Sequence, residues 1–219
     1  MLERDTVVGL FEQELFDKLG LPFSLEAARK LTAKFFYDVR WKLLNNIALR
    51  ELLPWVLKIA QKEGRHFRLY YIDLHDLHKT NRQYGDAGGD ALLKAVAQAV
   101  RVFYPPTPKD ELPLISQILN YRQDVGDGRE ANTIVGRWGG DEFLALVLAQ
   151  DEKALEGFER RLRAVLENET ASMPDGKAVT TSVSMGRSDM SINKSWQQML
   201  EEANAGSNRE KKESGLGRG

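Results

Sequence analysis

Two glycines followed by two carboxylates, set between β-forming residues, constrain this chain more than any other stretch: Gly136-Arg137-Trp138-Gly139-Gly140-Asp141-Glu142-Phe143-Leu144-Ala145. The string reads as a tight hairpin. Gly139 and Gly140 can take φ > 0 there and leave bare backbone that a ligand approaches closely. Asp141 and Glu142 open the outgoing strand and point to opposite faces of it. A carboxylate at a turn beside bare backbone suits a hard cation and a polyphosphate. Taken alone the pattern also fits a plain turn, so a second segment has to give it weight.

That segment runs from Phe67 to Asp90. A β-rich apolar run ends in Asp73, and polar turn residues follow. After Gly88-Gly89, apolar residues at 92, 93, 96, 97 and 100 predict a helix from Asp90 to Phe103. Together the two segments resemble the GGDEF domain, the family of diguanylate cyclases. Gly139-Gly140-Asp141-Glu142-Phe143 matches the family signature in full. The upstream spacing of Asp73, Asn81, Tyr84-Gly85 and Gly89-Asp90 is a second, independent match. The resemblance covers roughly Asp38 to the C-terminus.

A chain of 219 residues suits one domain plus an appendage. Its net charge of −1 advertises no surface for nucleic acid. The absence of cysteine excludes disulfides, thiolate metal sites and a cysteine nucleophile. The start, Met1-Leu2-Glu3-Arg4-Asp5, lacks the apolar core of a signal peptide. Apolar runs are strand-sized, far short of the ~20 residues that span a bilayer. The expectation is a soluble, cytoplasmic protein without membrane contact.

Residues 1 to about 64 read as helical, with Ser24-Leu25-Glu26 after Pro22 as a start signal and apolar positions 28, 31, 35, 36, 39 and 43 at helical spacing. Within them, Asp38 to Leu49 is similar to the family's entry segment, Asp-x-Leu-Thr-Gly-Leu-x-Asn-Arg. Asp38, Leu43, Asn45 and Leu49 are retained, and Asn45-Asn46 replaces Asn-Arg. Residues 1–37 are taken as an N-terminal helical extension, a stalk or small cap, and 38–219 as the GGDEF domain. Strands are expected at 67–73, 133–138, 142–149 and 177–185, and helices at 90–103, 152–168 and 195–212. That β-α-β-β-α-β order predicts an α+β, ferredoxin-like palm, an antiparallel sheet with helices packed on one face. Residues 104–131, with Pro105-Pro106-Thr107-Pro108 and Gly126-Asp127-Gly128, form a longer crossing than the family uses. They are read as an insertion with a short helix at 112–120.

In the palm order Asp73 and Asp141 sit on neighbouring strands and can converge at one sheet edge. The resemblance makes Asp73, Asp141 and the Leu74 carbonyl the ligands of Mg²⁺ (or Mn²⁺), with Glu142 assisting metal or nucleophile; Asp141, Glu142 and Asp73 are the catalytic candidates. Where the family continues with Asp, two aromatics and Lys, this chain has His75, Asp76, Leu77 and His78. The histidines are read as turn residues, and the backbone N–H groups of 75–78, Leu77 and His78 among them, as a phosphate cradle beside Gly139 and Gly140. Asp90 is assigned to guanine, whose N1–H and N2–H one carboxylate can accept together, with Asn81 assisting. Asp90 would equally serve as an N-cap for the next helix.

Val179 to Gly186 resembles the closing strand Thr-Val-Ser-Ile-Gly. In the last helix Lys211 falls at the phosphate-gripping lysine, while Gly215 and Leu216 stand where an arginine belongs. Glu130 and Thr133 occupy the family's Arg-x-x-Asp product-inhibition site, so that site is absent. The resemblance implies condensation of two GTP to cyclic di-GMP and two pyrophosphates, by two copies face to face. The alternative is a catalytically degenerate domain that binds GTP or a related nucleotide as a signalling module.

Overall fold

A computed structural model describes residues 33–104, 122–126, 129–188 and 194–215, with isolated positions 13, 16, 17, 20, 26, 30 and 118. Two short strands, β1 (Tyr37–Asp38) and β2 (Leu43–Leu44), precede α1 (Asn46–Lys62). The palm follows: β3 (His66–Leu74), α2 (Leu77–Tyr84), α3 (Asp86–Arg101), β4 (Arg122–Gly126), β5 (Arg129–Arg137), β6 (Glu142–Ala149) and α4 (Glu152–Glu167). A hairpin of β7 (Thr170–Ser172) and β8 (Ala178–Thr180), then β9 (Val183–Arg187) and α5 (Trp196–Glu213), completes it.

The central sheet runs β2-β5-β6-β3-β9. The palm strands are mutually antiparallel, and β2 joins β5 in parallel, Leu44 opposite Gly136. The expected α+β palm is therefore present. Its helices cover both faces, not one. Tyr70 points to α4, where its hydroxyl donates to the Leu155 carbonyl at 3.2 Å and its ring meets Phe158. The next residue, Tyr71, points to the face covered by α1 and α5. Alternation along β3 thus buries nearly every residue, as a strand inside a three-layer stack requires. No helix among the described residues is long and apolar enough to cross a membrane.

On the α1/α5 face, Gly136, Leu144, Tyr71 and Gly186 are register partners in one row. A Cβ on Gly186 would lie 1.9 Å from the Ala203 carbonyl oxygen, so α5 rests on bare strand backbone. That explains its polar sequence. Only Met199, Ala203 and Ser207 of α5 are buried, a one-residue-wide stripe at i, i+4, i+8. The helix starts on a capping box, Gln198 N donating to Ser195 Oγ and Ser195 N to Gln198 Oε1.

Several expectations need correction. The helical spacing through 28–43 ends at Phe35, because Asp38 closes a tight β1–β2 turn instead. Its carbonyl takes Lys42 N at 2.7 Å and Lys42 adopts φ 54°. Gly88 and Gly89 lie inside α3, which starts at Asp86, and not in a turn ahead of it. The segment 77–84, read as turn, is the helix α2; Thr80 is its one buried residue, so no apolar stripe announces it. The strand 177–185 is divided at Thr181, whose N–H and hydroxyl turn back to Glu169 and Leu166 at the end of α4. The helix expected at 112–120 lies outside the described residues except Ile118, which is helical and buried. Within the insertion, Arg122–Gly126 pair with β5, and the insertion's last residues, 129–131, already belong to β5.

Candidate active site

β3 ends where the signature turn begins. Asp73 is the register partner of Glu142 on β6, so the two carboxylates share one face, and Leu74 N donates to the Asp141 carbonyl at 2.9 Å. The turn is closed by Trp138 N and Gly139 N donating to the Glu142 carbonyl at 2.8 and 3.3 Å. Neither Gly139 nor Gly140 has positive φ, contrary to expectation. A Cβ on Gly139 would displace the Glu142 carboxylate, whose Oε2 it would meet at 2.1 Å, whereas Gly140 has nothing within 4 Å. Tyr71 donates its hydroxyl to Glu142 Oε1 from the same face. Burial first, then the Glu142 carboxylate, pushes the Tyr71 phenol far above its ordinary range, so it stays a donor.

The stripe on α5 continues one turn beyond Ser207 to Lys211, and Lys211 Nζ lies 2.6 Å from Asp73 Oδ2. His75 is not a surface turn residue. It is 4% exposed and bonded at Nε2 to Ser184 Oγ (3.1 Å), which meets Ser207 Oγ at 2.7 Å. Burial, and secondarily the Lys211 cation, holds the imidazole below its usual pKa and so neutral near pH 7. Its backbone N–H is taken by Ser182, which removes it from the expected phosphate cradle. Asp76 adopts φ 60° and leads into α2, where the first helical bond is Thr80 N to Asp76 O. The N–H groups of Leu77, His78 and Lys79 precede it, as at any helix N-terminus. The His78 side chain is exposed on α2.

A cavity of about 310 Å³ lies at the α2–α3 junction, lined by Arg40, Leu77, Asn81, Asp86, Gly89, Asp90 and Leu93. Gly85, at φ 69° and ψ −174°, is the hinge between the two helices, a conformation open to glycine. Gly88 and Gly89 let them touch, since Cβ atoms there would meet Tyr84 and the Asn81 amide at 2.5 and 1.9 Å. Asp90 therefore sits within α3 and is no N-cap. Its carboxylate pairs with Arg40 instead. The structure brings Leu77, Asn81 and Asp90 to one cavity, and Asp73, Leu74, Asp141, Glu142 and Lys211 to the neighbouring sheet edge.

The family model for the diguanylate cyclase GGDEF domain matches residues 35–108 and 123–215. The chain belongs to the GGDEF family. Among curated GGDEF relatives, diguanylate cyclase DosC of Escherichia coli K12 is 25% identical over 149 residues, which is 68% of this chain and 27% of that protein. DgcP of the same strain is 24% identical over 161 residues, covering 74% of this chain and 40% of DgcP. This chain thus spans between about a quarter and two fifths of their length. Of solved structures, the coiled coil and GGDEF domain of DgcB from Caulobacter crescentus, in complex with c-di-GMP, superposes with TM-score 0.67 at 16% identity, covering 87% of each chain. Diguanylate cyclase SiaD from Pseudomonas aeruginosa, in complex with its activator SiaC, gives TM-score 0.64 at 21% identity, over 97% of this chain and 68% of SiaD. Both likenesses are of fold.

Residues that sequence reasoning passed over also shape this GGDEF site. Arg40 stands where the entry segment of the family has leucine, and a charge in an apolar slot was the available signal. Asp38 Oδ1 accepts Arg40 N and Trp41 N at 3.2 and 3.3 Å. Its Oδ2 accepts Arg137 Nη1 at 3.1 Å, and Arg137 Nη2 donates to the Gly140 carbonyl at 2.7 Å. One aspartate thereby ties the cavity's rim to the signature turn.

Proposed function

We propose that this GGDEF domain, taken as residues 38–219, is a diguanylate cyclase that condenses two GTP into cyclic di-GMP and two pyrophosphates. The observation that carries the reading is the register pairing of Asp73 with Glu142 beside the Asp141 turn, a few residues from a base-sized cavity. Among the described residues no group of three or more potential ligands is gathered. A donor set of one or two carboxylates and the Leu74 carbonyl fits Mg²⁺ or Mn²⁺, which takes its remaining ligands from substrate phosphates and water. Such an ion supplies charge for the leaving pyrophosphate and activates the attacking 3′-hydroxyl.

The chain's own residues divide the rest of the work. Asp90 accepts N1–H and N2–H of guanine and Asn81 supports the base. The amides of Leu77 and His78, with the bare backbone of Gly139 and Gly140, receive phosphate oxygens. Lys211, already against Asp73, reaches the same phosphates. Glu142, held by Tyr71, faces the site where the nucleophile is activated. Each domain holds one GTP, so two domains must meet face to face, and the N-terminal residues 1–37 are the natural device for controlling that encounter.

A degenerate nucleotide-binding domain is the second reading, favoured by the cations already on Asp73 and Asp90. Purified protein incubated with GTP and Mg²⁺ over a wide range of protein concentration separates the two. Cyclic di-GMP should form, with specific activity rising with concentration. GTP binding without product at any concentration would overturn the cyclase and leave the degenerate domain.

A further inference from the structure

The Arg40–Asp90 pair is the one charged contact across the cavity's rim among the described residues lining it, and its chemistry points to a ligand edge. Arg40 extends from the β1–β2 turn, its guanidinium stacked 4.8 Å from the Trp41 ring, with Nη2 on Asp90 Oδ2. Three features fix its place. Asp38 Oδ1 holds the Arg40 and Trp41 amides, Lys42 closes the turn at positive φ, and the indole supports the side chain. Asn81 lines the same cavity, its Oδ1 packed against Gly89 and without a hydrogen-bond partner among the described residues, so its amide is uncommitted to the protein at that oxygen. A guanidinium beside a carboxylate presents donors next to acceptors. The Watson–Crick edge of guanine presents the complement: the O6 acceptor, then the N1–H and N2–H donors. Asp90 alone satisfies only the two donors.

We infer that Arg40 is a specificity-determining residue that donates to O6 of the bound guanine, so that Arg40 and Asp90 read the whole edge as a pair. This rests on the nucleotide reading above and adds a residue to it. The pairing also works against adenine, whose 6-amino group would set donor against donor at Arg40 and leave the Asp90 carboxylate unmatched. Arg40 therefore acts at position 6 of the base and Asp90 at position 2.

Calorimetric binding of GTP, 6-thio-GTP and ITP tests the assignment in the full chain, with and without Mg²⁺. The first analogue replaces O6 by a poor acceptor, and ITP lacks the 2-amino group. In the wild type, 6-thio-GTP should bind more weakly than GTP, on the order of tenfold, as expected for losing a hydrogen bond to a charged group. In Arg40→Met, which keeps the stem on Trp41, that ratio should fall towards one while the GTP/ITP ratio stays unchanged. Arg40→Lys, retaining a cationic donor, should restore part of the position-6 ratio. An unchanged GTP/6-thio-GTP ratio in Arg40→Met, with GTP still bound, would overturn the role of Arg40 and leave the nucleotide site standing. Uniformly tighter binding of all three nucleotides in Arg40→Met would also overturn it, showing Arg40 to be only a plug on Asp90. No GTP binding by the wild type in either condition would overturn both this inference and the nucleotide site.

Discussion

Replacing Gly186 by alanine is the sharpest single test of how the site is held together. The added Cβ would stand 1.9 Å from the Ala203 carbonyl oxygen, 2.1 Å from Ser207 N and 2.7 Å from Gly206 C. All three obstacles are helix backbone, so no side chain can rotate away. Helix α5 must retreat by roughly 1 Å, and overpacking of this kind costs about 1–3 kcal/mol, here towards the upper end. For a chain of this size each kcal/mol lowers Tm by about 2–4 °C, so a drop of roughly 6–12 °C is expected in differential scanning calorimetry. The retreat also draws Lys211 off Asp73, now 2.6 Å apart, so GTP affinity should fall along with stability. Gly140→Ala is the matched control. Its Cβ meets nothing within 4 Å and its φ is not positive, so Tm should stay put. A Gly186→Ala Tm within about 2 °C of wild type would refute the close approach of α5 to β9.

On the proposed mechanism, Asp73→Asn and Asp141→Asn should each reduce cyclic di-GMP formation by ~10²-fold or more while circular dichroism stays native, because each would remove a ligand charge where pyrophosphate departs; more than a tenth of wild-type turnover in both would remove the two-carboxylate mechanism. Tyr71→Phe deletes the donor that orients Glu142, so turnover should drop several-fold, a loss of about 1 kcal/mol of positioning, with GTP affinity unchanged; equal turnover would show that Glu142 needs no such hold. With exposed Glu130 and buried Thr133 in place of arginine and aspartate, cyclic di-GMP should inhibit only in competition with GTP, and a non-competitive pattern that survives Asp90→Ala would expose a second product site.

Much of the palm was legible because its ends carry local chemistry. Asp151 accepts Ala154 N at 2.8 Å and starts α4, and Ser195 with Gln198 starts α5, and both helices lie within one residue of their expected bounds. The strand ending in Asp73 is apolar on both faces except for Arg68, which is buried against Glu152 and Glu159. Illegible were the places where tertiary contact, not pattern, decides. Helix α2 has no apolar stripe, since it packs by the missing side chains of Gly88 and Gly89. Apolar spacing through 28–43 suggested a helix, but Asp38 commits its carbonyl and carboxylate to a turn and to Arg137. At the site, Asp73, Asn81 and Asp90 are singled out by the resemblance to the GGDEF pattern, and Asn81 and Asp90 do line one cavity. The burial of His75 could not be read that way, because its partners Ser182 and Ser184 are more than a hundred residues away.

The narrow stripe on α5 has a consequence for how the site behaves in time. Across eighteen residues the helix buries only Met199, Ala203 and Ser207, whereas α3 buries nine of sixteen. Local opening free energy follows buried apolar contact, so α5 should exchange its amide hydrogens through excursions well short of global unfolding. Each excursion takes Lys211 away from Asp73 and returns it. The hold of Lys211 on Asp73 should therefore open and close with α5, whose other anchors are the Trp196–Trp138 ring contact and the Glu210–Arg163 pair.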